Sequence, residues 1–92
     1  PLNTYTFFGQ QAVSVGSQDV GEVVRREADA KHYLKIVMQG NRLTGIFGIN
    51  VPFDPGVMWE IILRRIDLSS VREAFIAEPQ KTARAIMSKT WR

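Results

Sequence analysis

The sequence predicts an α+β domain: an antiparallel sheet of about five short strands in the N-terminal half, covered by two or three helices in the C-terminal half. Two observations carry that prediction. Residues 33–49 read as a β-hairpin, because two strand-like runs flank Gly40-Asn41, a dipeptide suited to the tight primed turns that match strand twist. Residues 52–56, Pro-Phe-Asp-Pro-Gly, then read as a helix start. Asp54 can cap the free amides, Pro55 fits a first turn that needs no donor, and Phe53 can pack back on Met58 as a staple.

The elements follow in order. Thr4-Tyr5-Thr6-Phe7-Phe8 and Ala12-Val13-Ser14-Val15 are rich in strand formers and separated by Gly9-Gln10-Gln11, a first hairpin. After a polar turn at Gly16-Ser17-Gln18-Asp19, the run Glu22-Val23-Val24-Arg25-Arg26 makes a third strand, and Ala28-Asp29-Ala30 turns the chain into the long hairpin. A two-residue turn sets the expected register there: Gln39 opposite Arg42, Met38 opposite Leu43, Ile36 opposite Gly45 and Leu34 opposite Phe47. The last three pairs share an apolar face. The other face then carries Gln39 with Arg42, Val37 with Thr44, Lys35 with Ile46 and Tyr33 with Gly48, a mixed surface open to water or a partner. Slipping by one residue would exchange the faces.

The first helix is expected to run to about Arg65, with Glu60 and Arg64 one turn apart on an exposed strip. Its apolar residues, from Val57 to Ile66, spread over roughly 240° at about 100° per residue. An ordinary surface helix needs less. Trp59 and Leu63 are therefore left at an edge that the later helices, or another protein, must shield. Ser70-Val71-Arg72-Glu73 fits a capping box for a second helix over 71–77, stopped ahead of Pro79, which starts a third. Ala83, Ile86, Met87 and Trp91 recur there at helical spacing, opposite Lys81, Arg84 and Lys89.

Ninety-two residues, 45% hydrophobic and 23% charged, suit one domain with a small core. The net charge of +3 is spread over Arg25-Arg26, Arg64-Arg65 and a terminal group of Lys81, Arg84, Lys89 and Arg92. No stripe concentrates it as phosphate binding requires, so nucleic acid is not an expected partner. Zero cysteines exclude disulfides, thiolate nucleophiles and cysteine-ligated metals within these residues. An apolar run of about 18 residues and a charged-then-apolar leader are both missing, so neither a membrane span nor a signal peptide is expected here. The chain begins at Pro1 without a methionine, which reads as an excised domain; a trimmed mature protein would look the same.

Catalytic side chains are not expected either. His32 is the sole histidine and reads as a surface residue at a strand start. The nine carboxylates show no pair spaced for acid–base work, and no metal-ligand grouping is spelled out. Gly45-Ile46-Phe47-Gly48 lies within a strand, where Gly45 lets Ile36 or a neighbouring backbone approach closely, and no dinucleotide or phosphate-loop fingerprint is present. Residues that would bind a cofactor cannot be named. The interface candidates are Trp59 and Leu63 on the helix, with Tyr33 and Ile46 on the mixed sheet face.

Taken together, Pro1-Leu2-Asn3-Thr4-Tyr5-Thr6-Phe7-Phe8-Gly9, the strand around Tyr33-Leu34-Lys35-Ile36-Val37, the run Gly40-Asn41-Arg42-Leu43-Thr44-Gly45 and the helix end Leu63-Arg64-Arg65-Ile66-Asp67-Leu68-Ser69 resemble a known C-terminal domain. It is the small domain closing FAD-dependent NAD(P)H oxidoreductases of the rubredoxin reductase, NADH oxidase and nitrite reductase group, among the pyridine nucleotide-disulfide oxidoreductases. The likeness covers most of residues 1–77. It implies that FAD and NAD(P)H bind upstream domains that lie outside these residues, and that this domain packs on them near the flavin and helps form a dimer or other homo-oligomer interface. It implies no cofactor for the isolated domain, no catalytic residue among these positions, and a cytoplasmic flavoprotein as the parent. The alternative is a free-standing protein–protein interaction module using the mixed sheet face or the Trp59 edge.

Overall fold

The computed structural model describes residues 2–7 and 9–90. Phe8, expected at the end of the first strand, and Trp91, expected in the third helix, lie outside the described residues, as do Pro1 and Arg92. Strands β1 (Leu2–Phe7), β2 (Gln10–Gly16), β3 (Glu22–Ala28), β4 (Tyr33–Gln39) and β5 (Arg42–Ile49) form one antiparallel sheet in the spatial order 1-2-5-4-3. Helices α1 (Pro55–Leu63), α2 (Arg72–Ala77) and α3 (Pro79–Thr90) follow, with a short 3-10 turn at Ser69–Val71. The α+β class and the division into a strand half and a helix half are as the sequence predicts.

One face of the sheet and the helices share the core. Val13, Val15, Leu34, Ile36, Met38, Leu43 and Ile46 meet Met58, Ile61, Leu68, Phe75, Ala83 and Met87. Fully burying a side chain such as Phe75 or Ile36 contributes about 1.5–3 kcal/mol. Gly48 belongs to the same face, because a Cβ there would run into the Phe53 ring.

The strand order imposes a crossing. Residues 17–21 carry the chain from β2 to the far edge at β3, over the ends of β5 and β4. The backbones come very close: a Cβ on Gly45 would collide with the Ser17 carbonyl, and one on Gly21 with that of Met38. Gly16 and Gly21 take φ of +76° and +106°, a region that side chains resist. The Ser17 amide donates to the Thr44 carbonyl (2.8 Å), and the Thr44 hydroxyl lies within reach of the Val20 and Val37 carbonyls (2.5 and 3.1 Å).

Thr44 is thereby an extra residue in β5, and this corrects the hairpin register. Gln39 opposes Arg42 and Met38 opposes Leu43 as expected, but beyond this bulge Val37 opposes Gly45, Ile36 opposes Ile46, Lys35 opposes Phe47 and Leu34 opposes Gly48. One inserted residue exchanges the faces of all that follows. Ile46, expected on the mixed face, enters the core at 0% exposure, while Phe47 turns outward. Val37 stays on the outer face yet is 1% exposed, because the crossing connection covers that end of the sheet.

Backbone carbonyls tie the hairpin tip to the helical layer. Arg72 donates to Gly40 O (2.8 Å), the Leu68 amide to Asn41 O (2.8 Å) and Arg42 Nε to Arg65 O (2.9 Å). Helix α1 starts as expected, with Asp54 Oδ1 accepting from the amides of Gly56 and Val57 (2.9 and 3.2 Å). It ends at Leu63, where the amides of Arg65 and Ile66 turn back to the carbonyls of Ile62 and Ile61. That closure places Arg65 at φ +50°, where glycine is the usual occupant. The expected capping box does not form: no side chain caps α2. Asp67 accepts from the Ser69 amide (2.9 Å), the chain passes through the 3-10 turn, and the α-helix begins at Arg72, one residue late.

Two substitutions probe this account by urea denaturation. Gly45→Ala is expected to destabilise by about 2 kcal/mol or more, because a backbone oxygen cannot move aside as a side chain can. Arg65→Gly is expected to stabilise by about 0.5 kcal/mol by relieving the left-handed backbone. An unchanged midpoint for the first, or a loss of stability in the second, would contradict the respective geometry.

Candidate functional site

Two surfaces stand out, and the sequence-based candidates divide between them. On α1, Met58 and Ile61 point into the core, whereas Trp59 is half-buried and Leu63, one turn later, is 55% exposed. Trp59 and Ile62 line a groove of about 550 Å³ with Ser17 and Val20 of the crossing connection, Leu43 and Thr44 of β5, and Arg65. Val20 is itself 46% exposed. Helix α3 packs on the other side of α1, where Met87 and Arg84 face Val57 and Asp54 across a cleft. The later helices therefore leave the Leu63 side of α1 uncovered among the described residues.

The second surface is the outer face of the sheet. Tyr33 and Phe47 meet edge to face there, with ring centroids 5.7 Å apart and planes at 66°. Asn3, Ser14, Lys35 and Ile49 line a shallow depression around the two rings. Arg26 on the edge strand lies directly opposite Lys35, and Lys35 opposite Phe47. Of the sequence-based candidates Tyr33 lies on this face and Ile46 does not. Phe47 was missed because the expected register had turned it inward, and nothing local to residues 33–49 announces the bulge.

The scattered arginines do not share one face. Arg25 turns beneath the sheet edge, donating to the last carbonyls of α2, Ile76 O and Ala77 O (2.8 and 2.9 Å), and pairing with Glu27. A cation at those free carbonyls satisfies a helix C-terminus. Arg26 stands on the outer face, and Arg64 pairs with Glu60 within α1 (3.2 Å). Exposed pairs of this kind contribute at most about 1 kcal/mol each.

His32 sits in the β3–β4 turn with its Nδ1 3.0 and 3.2 Å from the two Asp29 oxygens. A carboxylate cannot donate, so Nδ1 carries the proton in this contact. Asp29 Oδ1 also accepts from the backbone amides of Lys31 and His32 (2.8 Å each), closing the turn. The Lys31 amide, followed by the His32 side chain, holds the Asp29 carboxyl below its ordinary value. Among the described residues no group of three or more histidine, aspartate or glutamate side chains could hold a metal ion. No described helix is long and apolar enough to cross a membrane. What the geometry offers is surface for contact: an apolar groove beside α1 and an aromatic, cationic sheet face.

No protein-family model matches the chain. Over 97 aligned positions it is 53% identical to the NADH-dependent phenylglyoxylate dehydrogenase subunit epsilon of Aromatoleum evansii. The alignment takes in all of this chain and 23% of that protein, so the chain spans under a quarter of the relative's length. The similarity is to one named subunit of an NADH-dependent dehydrogenase, which associates the chain with oxidoreductases.

The Asp29 turn gives a pH test. A lowered carboxyl contributes stability that is complete above the ordinary value of 3.8 and is lost as the pH falls through the lower folded value. Asp29→Ala is expected to lower the urea midpoint at about pH 7, and the gap from the parent should close at about pH 2. A gap of the same size at both pH values would contradict the hydrogen-bonded carboxylate.

Proposed function

We propose that this chain is the C-terminal interface domain of a subunit that oxidises NAD(P)H through FAD within a multi-subunit dehydrogenase. The observation that carries the reading is identity along the whole of this chain to a subunit of an NADH-dependent dehydrogenase of which it covers 23%. The resemblance of residues 1–77 to the closing domain of FAD-dependent NAD(P)H oxidoreductases supplies the more specific part. On this reading hydride passes from the nicotinamide to a flavin held by other domains of the same polypeptide, in the cytoplasm, and this domain packs on them. The uncovered Trp59 and Leu63 side of α1 supports a subunit contact there. A domain whose described surface is rich in apolar edge and poor in clustered titratable groups suits that task.

The cofactor assignment is tested by absorbance. The longer polypeptide is expected to purify with bound flavin and to reduce an artificial dye with NADH, whereas residues 1–92 alone are expected to be colourless. Stoichiometric flavin on the 92-residue chain, or none on the longer one, would overturn the assignment.

The contact is tested by sedimentation of the longer polypeptide. Burying Trp59 and Leu63 contributes roughly 2–3 kcal/mol each, so Trp59→Ala with Leu63→Ala should weaken self-association roughly a thousandfold while the fold persists. An unchanged assembly in the double variant, or a monomeric parent, would contradict a homo-oligomeric contact at this edge.

A further inference from the structure

We propose that the outer face of the sheet is a docking site for an acidic polypeptide segment of a partner protein, one in which carboxylates flank apolar side chains. This goes beyond the cofactor and subunit reading and takes from it only that the domain belongs to a longer polypeptide. The argument begins with charge. The strand positions of that face carry Arg26, Lys35 and, at the hairpin end, Arg42, whose side chain is taken up by Arg65 O, and no carboxylate: Glu22 and Glu27 lie opposite Met38 and Leu34, which face the core, and the other acids lie in turns, loops and helices. Arg26 and Lys35 stand directly opposite each other on neighbouring strands. Like charges so placed repel, a cost that the fold alone does not recover. Neither makes an ion pair or side-chain hydrogen bond among the described residues, whereas Arg25, Arg42 and Arg72 each donate to backbone carbonyls.

The middle of the face supplies the apolar part. The Tyr33 and Phe47 rings meet beside Ile49, and all three are only partly covered. Glu27 and Asp29 share a cleft with Arg26 and Tyr33 at the β3–β4 end, but Glu27 is paired with Arg25, and Asp29 with His32 and the turn amides. Aromatic anchors beside unpaired cations complement an acidic segment with one or two apolar side chains. Two other occupants fit less well. A second copy of the same face would bring cations against cations. A nucleic acid would find two unpaired cations on the face, too few to neutralise the run of phosphates it presents.

The test uses fluorescence anisotropy of a labelled, end-blocked peptide of about ten alternating glutamate and leucine residues, titrated with the full polypeptide that carries this domain. A lysine and leucine peptide of equal length and a single-stranded oligouridylate are run beside it. The acidic peptide is expected to bind saturably and the lysine peptide not at all. Combining Arg26→Glu with Lys35→Glu should weaken that binding about tenfold or more without moving the melting temperature. If the reversal disturbs folding, Arg26→Gln with Lys35→Gln should still weaken binding several-fold. Absence of saturable binding, equal binding of both peptides, tighter binding of the oligouridylate, or indifference to the substitutions would each overturn the proposal.

Discussion

The crossing from β2 to β3 is the constraint on which the rest of this structure depends. Because the strand order is 1-2-5-4-3, five residues must carry the chain over the ends of two strands. Sheet and connection make room for each other through Gly45, Gly16 and Gly21, and β5 takes up Thr44 as an extra residue hydrogen-bonded to the connection. From that residue onward every side chain of β5 changes face. Ile46 completes the core beneath Ile36, and Phe47 joins Tyr33 outside. A single packing requirement at one end of the sheet thus decides what its outer face offers to other molecules.

The layers are held together by apolar burial and by arginines that reach backbone carbonyls. Arg25 closes the end of α2, Arg42 reaches the turn after α1, and Arg72 reaches the hairpin tip. No charged side chain is buried among the described residues. Each of these contacts satisfies a carbonyl at an element's end, where orphan groups collect. They fix the tilt of the helices on the sheet, and so the position of the α1 edge, without the desolvation cost of a buried ion pair.

What the sequence made legible was local. The Gly40-Asn41 turn, the Asp54-Pro55 helix start and the Pro79 start each rest on residues within a few positions of one another, and all three occur. Gly45 was readable as a point of close backbone approach, but which backbone approached was not. Ser17 is distant in sequence, and only the strand order brings it there. The bulge followed from that distant contact, and with it the places of Ile46 and Phe47. Arg65 in a left-handed conformation carried no signal, since glycine or asparagine ordinarily marks such a site. The capping box failed because the chain enters α2 through a 3-10 turn and no side chain caps the helix. Trp59 and Leu63 were legible as an edge because α1 has a wider apolar arc than one sheet face can cover.

The outward geometry leaves two surfaces open to other molecules, one beside α1 and one on the sheet. The most direct test is proton NMR across the β4–β5 hairpin. The account predicts nuclear Overhauser contacts between the methyl groups of Ile36 and Ile46 and between the rings of Tyr33 and Phe47. Contacts from the Leu34 methyl groups to the Phe47 ring, with Ile46 methyls exposed to a soluble paramagnetic agent, would contradict it.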